Sequence, residues 1–115
     1  MSQHDLEVTN ADANTGITYR AAINAALQAL GTMQSGASAP STTYAYMFWA
    51  DTTTGFLKRR NSSNTAWIII ELLDKVRSSD PTVTAWGAAE EGVEWYNTTD
   101  HRKKMWNGTE VAILG

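Results

Sequence analysis

Two stretches of the chain decide its fold: residues 49–58 read WADTTTGFLK, and residues 95–104 read WYNTTDHRKK, at an offset of 46 positions. Each stretch begins with an aromatic segment, passes through a turn that contains Thr-Thr, and ends in a lysine. Aromatic and apolar segments on both sides of a turn rich in Asp, Asn, Thr and Gly are typical of a β-hairpin. The sequence therefore predicts two copies of one hairpin unit.

Each predicted unit is a three-stranded meander. In the first unit the strands cover residues 44–50, 56–60 and 66–72, and in the second the later strands end at Trp106 and Leu114. The Asn107-Gly108 pair between those later strands predicts a type I′ turn. A meander this small cannot bury its own apolar face. We expect each unit to stack on the other copy, on the helix or on a partner chain, through four large anchors: Trp49, Trp67, Trp95 and Trp106.

One helix is predicted before the first unit, over about residues 17–30, with Thr15 or Thr18 as its cap and Gly31 as its end. At 100° per residue it has a predicted packing face formed by Tyr19, Ile23, Leu27 and Leu30. A narrow polar stripe separates this face from a face of small alanines. Either the helix is contacted on two sides, or the alanines are there because alanine favours helices.

The predicted fold class is α+β, mainly β, with one N-terminal helix followed by two small antiparallel β-meander repeats interlocked in a trimer. Residues 1–36 would form an arm and helix for assembly and docking, residues 37–75 the first repeat and residues 76–115 the second. A chain of 115 residues is the size of one ordinary domain.

Composition excludes several functional classes. The net charge of −3 gives no basic balance for nucleic acid, which makes it an unlikely partner. There are no cysteines to bind metal or form disulfides. The first residues lack the pattern of a signal peptide, and the longest apolar run, residues 66–70, is too short to cross a bilayer. We therefore expect a soluble protein, made in the cytosol, with no membrane partner.

No residue pattern predicts catalysis, a metal site or a cofactor. Asp51 lacks the further carboxylates of a calcium loop, so we expect it to accept hydrogen bonds from its own turn. His4 and His101 lie far apart and have no cysteine companions. The acidic residues Glu90, Glu91 and Glu94 suggest a solvated or salt-bridged edge. The chain is therefore expected not to be an enzyme.

Two basic runs lie on the predicted return strands of the two units: Lys58, Arg59 and Arg60, and Arg102, Lys103 and Lys104. They are candidate interface charges that contact nucleic acid, an acidic capsid or a lipopolysaccharide surface. Alternatively, they protect exposed edge strands by charge or pair with the acidic cluster across a subunit boundary.

Five segments carry a resemblance to a known family: MSQHD (1–5), YRAAINAALQAL (19–30), SGASAPSTTY (35–44), WADTTTGFLK (49–58) and NTAW (64–67). In this order they resemble the N-terminal region of bacteriophage tail-fibre proteins, especially those of marine podoviruses. The resemblance covers about residues 1–72. The second unit matches only a generic fibre hairpin, because Asp100-His101 replaces the Thr-Gly of the first turn.

The resemblance implies a virion appendage that is usually trimeric and docks to the particle through its N-terminal region. The chain length favours a short fibre or adaptor with itself and other phage structural proteins as partners. A capsid-decorating or head-fibre protein is the first alternative. A carbohydrate-binding module for host surface glycan, using exposed aromatics such as Tyr44, Tyr46 or Tyr96, is the second.

Overall fold

The computed structural model describes residues 3–5 and 16–114. In this part of the chain one helix, α1 (Gly16–Gly31), precedes seven strands and a short 3-10 turn at Ala88–Glu90. The strands are β1 (Phe48–Asp51), β2 (Phe56–Arg60), β3 (Trp67–Leu72), β4 (Val76–Arg77), β5 (Glu94–Asn97), β6 (Arg102–Trp106) and β7 (Val111–Leu114). The predicted α+β, mainly β class is confirmed.

The two hairpin units have the same register. Trp49 pairs with Lys58 between antiparallel β1 and β2, and Trp95 pairs with Lys104 between antiparallel β5 and β6. β3 and β7 then complete the meanders. The predicted duplication is therefore present in the backbone. The duplication extends over the first two strands of each unit. It does not extend to the third strand at the same offset, because the connection after β6 is shorter than the connection after β2.

A parallel segment precedes each hairpin, which the sequence did not predict. Arg77 in β4 pairs in parallel with Asn97 in β5, and Gly36 forms a parallel bridge to Asp51. The Thr98 amide donates to the Arg77 carbonyl at 2.8 Å, and the Thr52 amide donates to the Gly36 carbonyl at 3.1 Å. Residues 73–81 are thus more than a connector, and the units are not purely antiparallel. A two-residue strand is too short for alternation to indicate it.

Two local predictions were wrong. β1 begins at Phe48 instead of residue 44, because Tyr46 adopts a positive φ of 65° and the Met47 amide donates to the Tyr44 carbonyl in a turn. The turn before β7 is not type I′. Type I′ needs positive φ at both central residues, but here only Gly108, at 99°, has positive φ and Asn107 does not.

The core lies where the two units stack on each other. Its buried members are Phe56 and Leu72 from the first sheet, and Val93, Trp95 and Trp106 from the second unit. The partly buried Trp86 sits among them, with its ring centroid 5.3 Å from Phe56, 5.9 Å from Trp95 and 5.8 Å from Trp106. Of the three predicted ways to cover a meander, stacking on the other copy is therefore present within one chain.

The packing face predicted for helix α1 is largely exposed in the structure: Tyr19, Leu27 and Leu30 are 44%, 59% and 58% exposed. The buried positions of the helix are the small residues Ala22 and Ala29. After the helix, the Gln34 side chain exchanges hydrogen bonds with the backbone of His4 at 3.1 and 2.9 Å. The sequence also predicts a short extended segment at residues 6–8, and both this segment and the Thr15 cap lie outside the described residues.

We expect Trp86→Ala to lower the free energy of unfolding by about 3 kcal/mol, the low end for a tryptophan because Trp86 is only partly buried. Because its ring joins the two units, the parent chain should unfold in a single transition, whereas Trp86→Ala should not. Urea denaturation followed by circular dichroism measures both effects. Tyr96→Ala, on the exposed side of β5, is the control, and an equal loss there would contradict the prediction.

Candidate functional site

The first hairpin turn is held by a buried carboxylate. Asp51 is 2% exposed. Its Oδ1 accepts the backbone amides of Thr53 and Thr54 at 3.0 and 3.3 Å, and its Oδ2 accepts the Thr54 hydroxyl and the Lys58 ammonium, both at 2.8 Å. Burial raises the pKa of Asp51, but these hydrogen bonds together lower it below its usual value. The predicted turn role of Asp51 is confirmed. We call Asp51, Thr54 and Lys58 the first turn cluster.

The basic residues of β2 alternate with period two over a tryptophan pair. Lys58 lies 4.9 Å from the centroid of Trp49, and Arg60 lies 5.2 Å from that of Trp67. The two indoles are 5.4 Å apart. The Trp49 indole nitrogen also donates to the Gly36 carbonyl at 3.1 Å. Lys58 therefore contacts both the turn and Trp49, and Trp49 in turn binds the segment that precedes the unit.

The second hairpin also orders its turn and neutralises its lysine, but different residues carry the negative charge. At the position of Asp51 stands Asn97, whose Oδ1 accepts the amides of Thr99 and Asp100 at 2.9 and 3.3 Å. An amide cannot neutralise Lys104, which is buried. Instead the Lys104 ammonium contacts Asp100 at 2.7 Å and Asp80 at 2.9 Å. We call Asn97, Asp80, Asp100 and Lys104 the second turn cluster.

Asp80 is the centre of this second cluster. Its Oδ1 accepts the Asn97 amide and the Trp95 indole nitrogen, each at 2.9 Å. The hydrogen bond from Asn97, with those from Lys104 and Trp95, lowers the pKa of Asp80 to about 2. The pKa of Lys104 is raised by its hydrogen bonds to Asp100 and Asp80. The sequence did not indicate Asp80, because it lies outside the repeated stretch.

The altered second turn keeps the backbone of the first. His101 stands where the first turn has Gly55, and both adopt positive φ, at 57° and 78°. A non-glycine residue in this conformation is uncommon. Each turn begins with a side-chain oxygen, from Asp51 or Asn97, that accepts two backbone amides. That oxygen fixes the same turn geometry in both units.

The interpretation of the basic runs as protection for edge strands was wrong. β2 and β6 each have a hydrogen-bonded strand on both sides, so they lie inside their sheets. Lys58 and Lys104 are taken up by the turn clusters. Lys103 pairs with Glu94 of the same chain at 2.9 Å, which also lowers the pKa of Glu94. Arg102 is left exposed on β6.

Arg59 differs from its neighbours in β2. Its guanidinium lies 5.8 Å from the Tyr46 ring, and its Nε is buried with no hydrogen-bond partner. Arg59 pairs across the sheet with Phe48 and Ile68, and cross-strand pairs share a face. Phe48 and Ile68 are 41% and 42% exposed. We call this surface, formed by Phe48, Arg59, Ile68 and the neighbouring exposed Ile70, the outer face of the first sheet.

The predicted aromatic residues for glycan binding do not form one platform. Tyr44 and Tyr46 line a groove at the end of α1, whereas Tyr96 lines a separate depression on the second sheet. A cleft of about 530 Å³ lies elsewhere, between the first turn and Trp86, with Asp74, Arg77 and Glu90 on its rim.

Within residues 3–5 and 16–114, no three His, Asp or Glu side chains come together as metal ligands. No described helix is long and apolar enough to cross a membrane. No protein-family model, curated protein or solved structure matches this chain.

The two turn clusters predict that the carboxylate of the first turn can be moved from position 51 to position 54. Asp51→Asn should lower the free energy of unfolding by about 2 kcal/mol, because Lys58 loses its buried carboxylate while the turn amides keep an acceptor. Thr54→Asp, the residue type found at Asp100, should restore part of that stability in the double variant. Urea denaturation of the parent, both single variants and the double variant measures the coupling. A double variant no more stable than Asp51→Asn would contradict the equivalence of the clusters.

Stability should also fall in acid because of Asp80. Its pKa is depressed from 3.8 to about 2 in the folded chain, so its contribution is fully present above about pH 4 and is lost as pH falls towards 2. Thermal unfolding between pH 5 and 2 should therefore show a smaller loss for Asp80→Asn than for the parent. Asp74→Asn, an exposed carboxyl nearby in sequence, is the control. Parallel curves for parent and Asp80→Asn would refute this assignment.

Proposed function

We propose that this chain is a non-enzymatic structural protein of a bacteriophage particle, a short tail-fibre or fibre-adaptor component that forms a homotrimer and docks to the virion. The observation that carries the proposal is the outer face of the first sheet. Phe48, Ile68 and Ile70 are each more than a third exposed there. Contiguous exposed apolar side chains mark surfaces that meet another macromolecule.

The unpaired Arg59 Nε on the same face supports docking to another protein. A buried donor without an acceptor costs free energy. A neighbouring subunit that supplies a carbonyl or carboxylate would remove that cost while covering Phe48 and Ile68.

The distribution of perturbed carboxyl and amino groups also supports an architectural role. Groups with shifted pKa values often mark catalytic sites, and here they are Asp51, Asp80, Glu94 and Lys104. Each of them is engaged in an ion pair that holds a hairpin. Their shifts follow from the fold, so they give no reason to invoke catalysis.

The resemblance of residues 1–72 to fibre N-terminal regions is the reason for proposing a virion appendage in place of another structural protein. The stacked repeat fits this choice, because two hairpin units with ion-paired turns share one core and form a single body. A head-surface location remains the alternative, and the same experiment separates the two.

The test is the location of the chain in purified particles, by Fab labelling and cryo-electron microscopy. We expect label at the tail or collar in multiples of three. Label over the head lattice would contradict the adaptor role and support a capsid-decorating protein. Absence of label from the particles would overturn both of these roles. Ile68→Asp should fold but fail to be incorporated. Ser62→Asp, on an exposed turn of the same unit, is the matched control and should be incorporated normally.

A further inference from the structure

The cleft of about 530 Å³ beside the first turn has the composition of a small-molecule site. Its apolar lining includes Phe56, Leu72 and the partly buried Trp86, and the rings of Phe56 and Trp86 are 5.3 Å apart. Small-molecule sites are concave, largely apolar and about 300–1,000 Å³ in volume, with a few polar groups that orient the ligand. Because residues of both units line the cleft, it is formed by their stacking.

Some polar groups of the cleft are used by the fold, and others are not. The Thr54 hydroxyl donates to the Asp51 carboxylate at 2.8 Å, so the first turn cluster engages it. The hydroxyls of Thr52 and Thr82 and the carboxylate of Asp74 also line the cleft. These three groups have no protein hydrogen-bond partner within residues 3–5 and 16–114. They are therefore available to a bound molecule.

The rim of the cleft carries three charged side chains, Asp74, Arg77 and Glu90, that do not neutralise one another. None of the ion pairs in the described part of the chain involves any of them. The Arg77 Nε donates to the Ser79 carbonyl at 2.9 Å, which leaves its terminal nitrogens without a partner there. Glu90 accepts only the Gly87 amide, at 3.4 Å, through one of its two oxygens.

The mixture of charges on the rim indicates the class of ligand. An anion that contacts Arg77 would also meet two carboxylates, and a cation that contacts the carboxylates would also meet Arg77. A purely apolar ligand would take three charges out of water without compensation. A hydroxyl group both donates and accepts, so it can bind a carboxylate and a guanidinium alike. A neutral ligand with several hydroxyls and one apolar face therefore fits both the rim and the lining.

We propose that this cleft binds a neutral saccharide, whose C–H face packs on Trp86 and whose hydroxyls bind Asp74, Arg77 and Glu90. The site shares no lining residue with the tyrosines predicted for glycan binding. Trp86 would then have two roles, since it also joins the two units. The proposal rests on the cleft alone and does not depend on the virion role.

The test is titration of the full chain with the methyl glycosides of glucose, galactose and N-acetylglucosamine, by isothermal titration calorimetry and saturation-transfer NMR. At least one of these neutral probes should bind. Glucuronate and glucosamine should bind more weakly than the best neutral probe, because each brings a charge that meets a like charge on the rim. Failure of all three neutral probes to bind, or tighter binding of a charged one, would overturn the proposal.

Two variants locate the binding. Asp74→Ala and Arg77→Met should each weaken it about 10-fold or more, because each removes a hydrogen bond to a charged group. Glu110→Ala and Arg102→Met remove the same charges at exposed positions outside the cleft and should bind as the parent does. Near-ultraviolet circular dichroism of the tryptophan core checks the folding of all four. Binding that is lost in Tyr96→Ala but kept in Asp74→Ala would place the saccharide on the second sheet and refute the cleft.

Discussion

The contact of Trp86 with both hairpin units is the interaction on which the rest of the structure depends. A three-stranded unit has one face to bury and too little chain to bury it. Phe56 from the first sheet and Trp106 from the second meet around the Trp86 ring, so each unit covers the other. This arrangement uses one face of each sheet. The opposite face of the first sheet then has no cover within the described part of the chain, and its exposure follows from how the core is built.

Both units place a lysine at the same point of the return strand, yet they neutralise it differently. Lys58 meets one buried carboxylate that also orders the turn, whereas Lys104 meets two half-exposed carboxylates while Asn97 orders the turn. Acceptance of the turn amides needs only an oxygen, and neutralisation of the lysine needs a negative charge. These two requirements are separable, which allows the second turn to lose its Asp and its Gly without a change of backbone.

The sequence predicted the hairpins because the residues that form a hairpin lie close together in the chain. The turn residues and the paired tryptophan and lysine of each unit were enough to reveal the repeat at an offset of 46 positions. Long-range features were missed. Val76–Arg77 joins β5 in parallel, but two residues carry no period. Trp86 lies outside the repeat, so nothing in its neighbourhood indicated that it joins the units. The interpretation of the basic runs as edge protection did not follow from the predicted meanders, in which the return strands already lie between two neighbouring strands.

Helix α1 shows that an amphipathic pattern can separate residue types without showing which face of the helix is buried. The wheel separates Leu27 and Leu30 from the alanines, and the structure uses that separation in the opposite sense to a usual surface helix. The buried positions of α1 are the small Ala22 and Ala29, whereas Leu27 and Leu30 are exposed. A wheel ranks apolar residues by size, because burying a larger side chain removes more apolar surface from water. It therefore favoured the leucines, and which side of a helix is buried depends on contacts that the helix sequence does not contain.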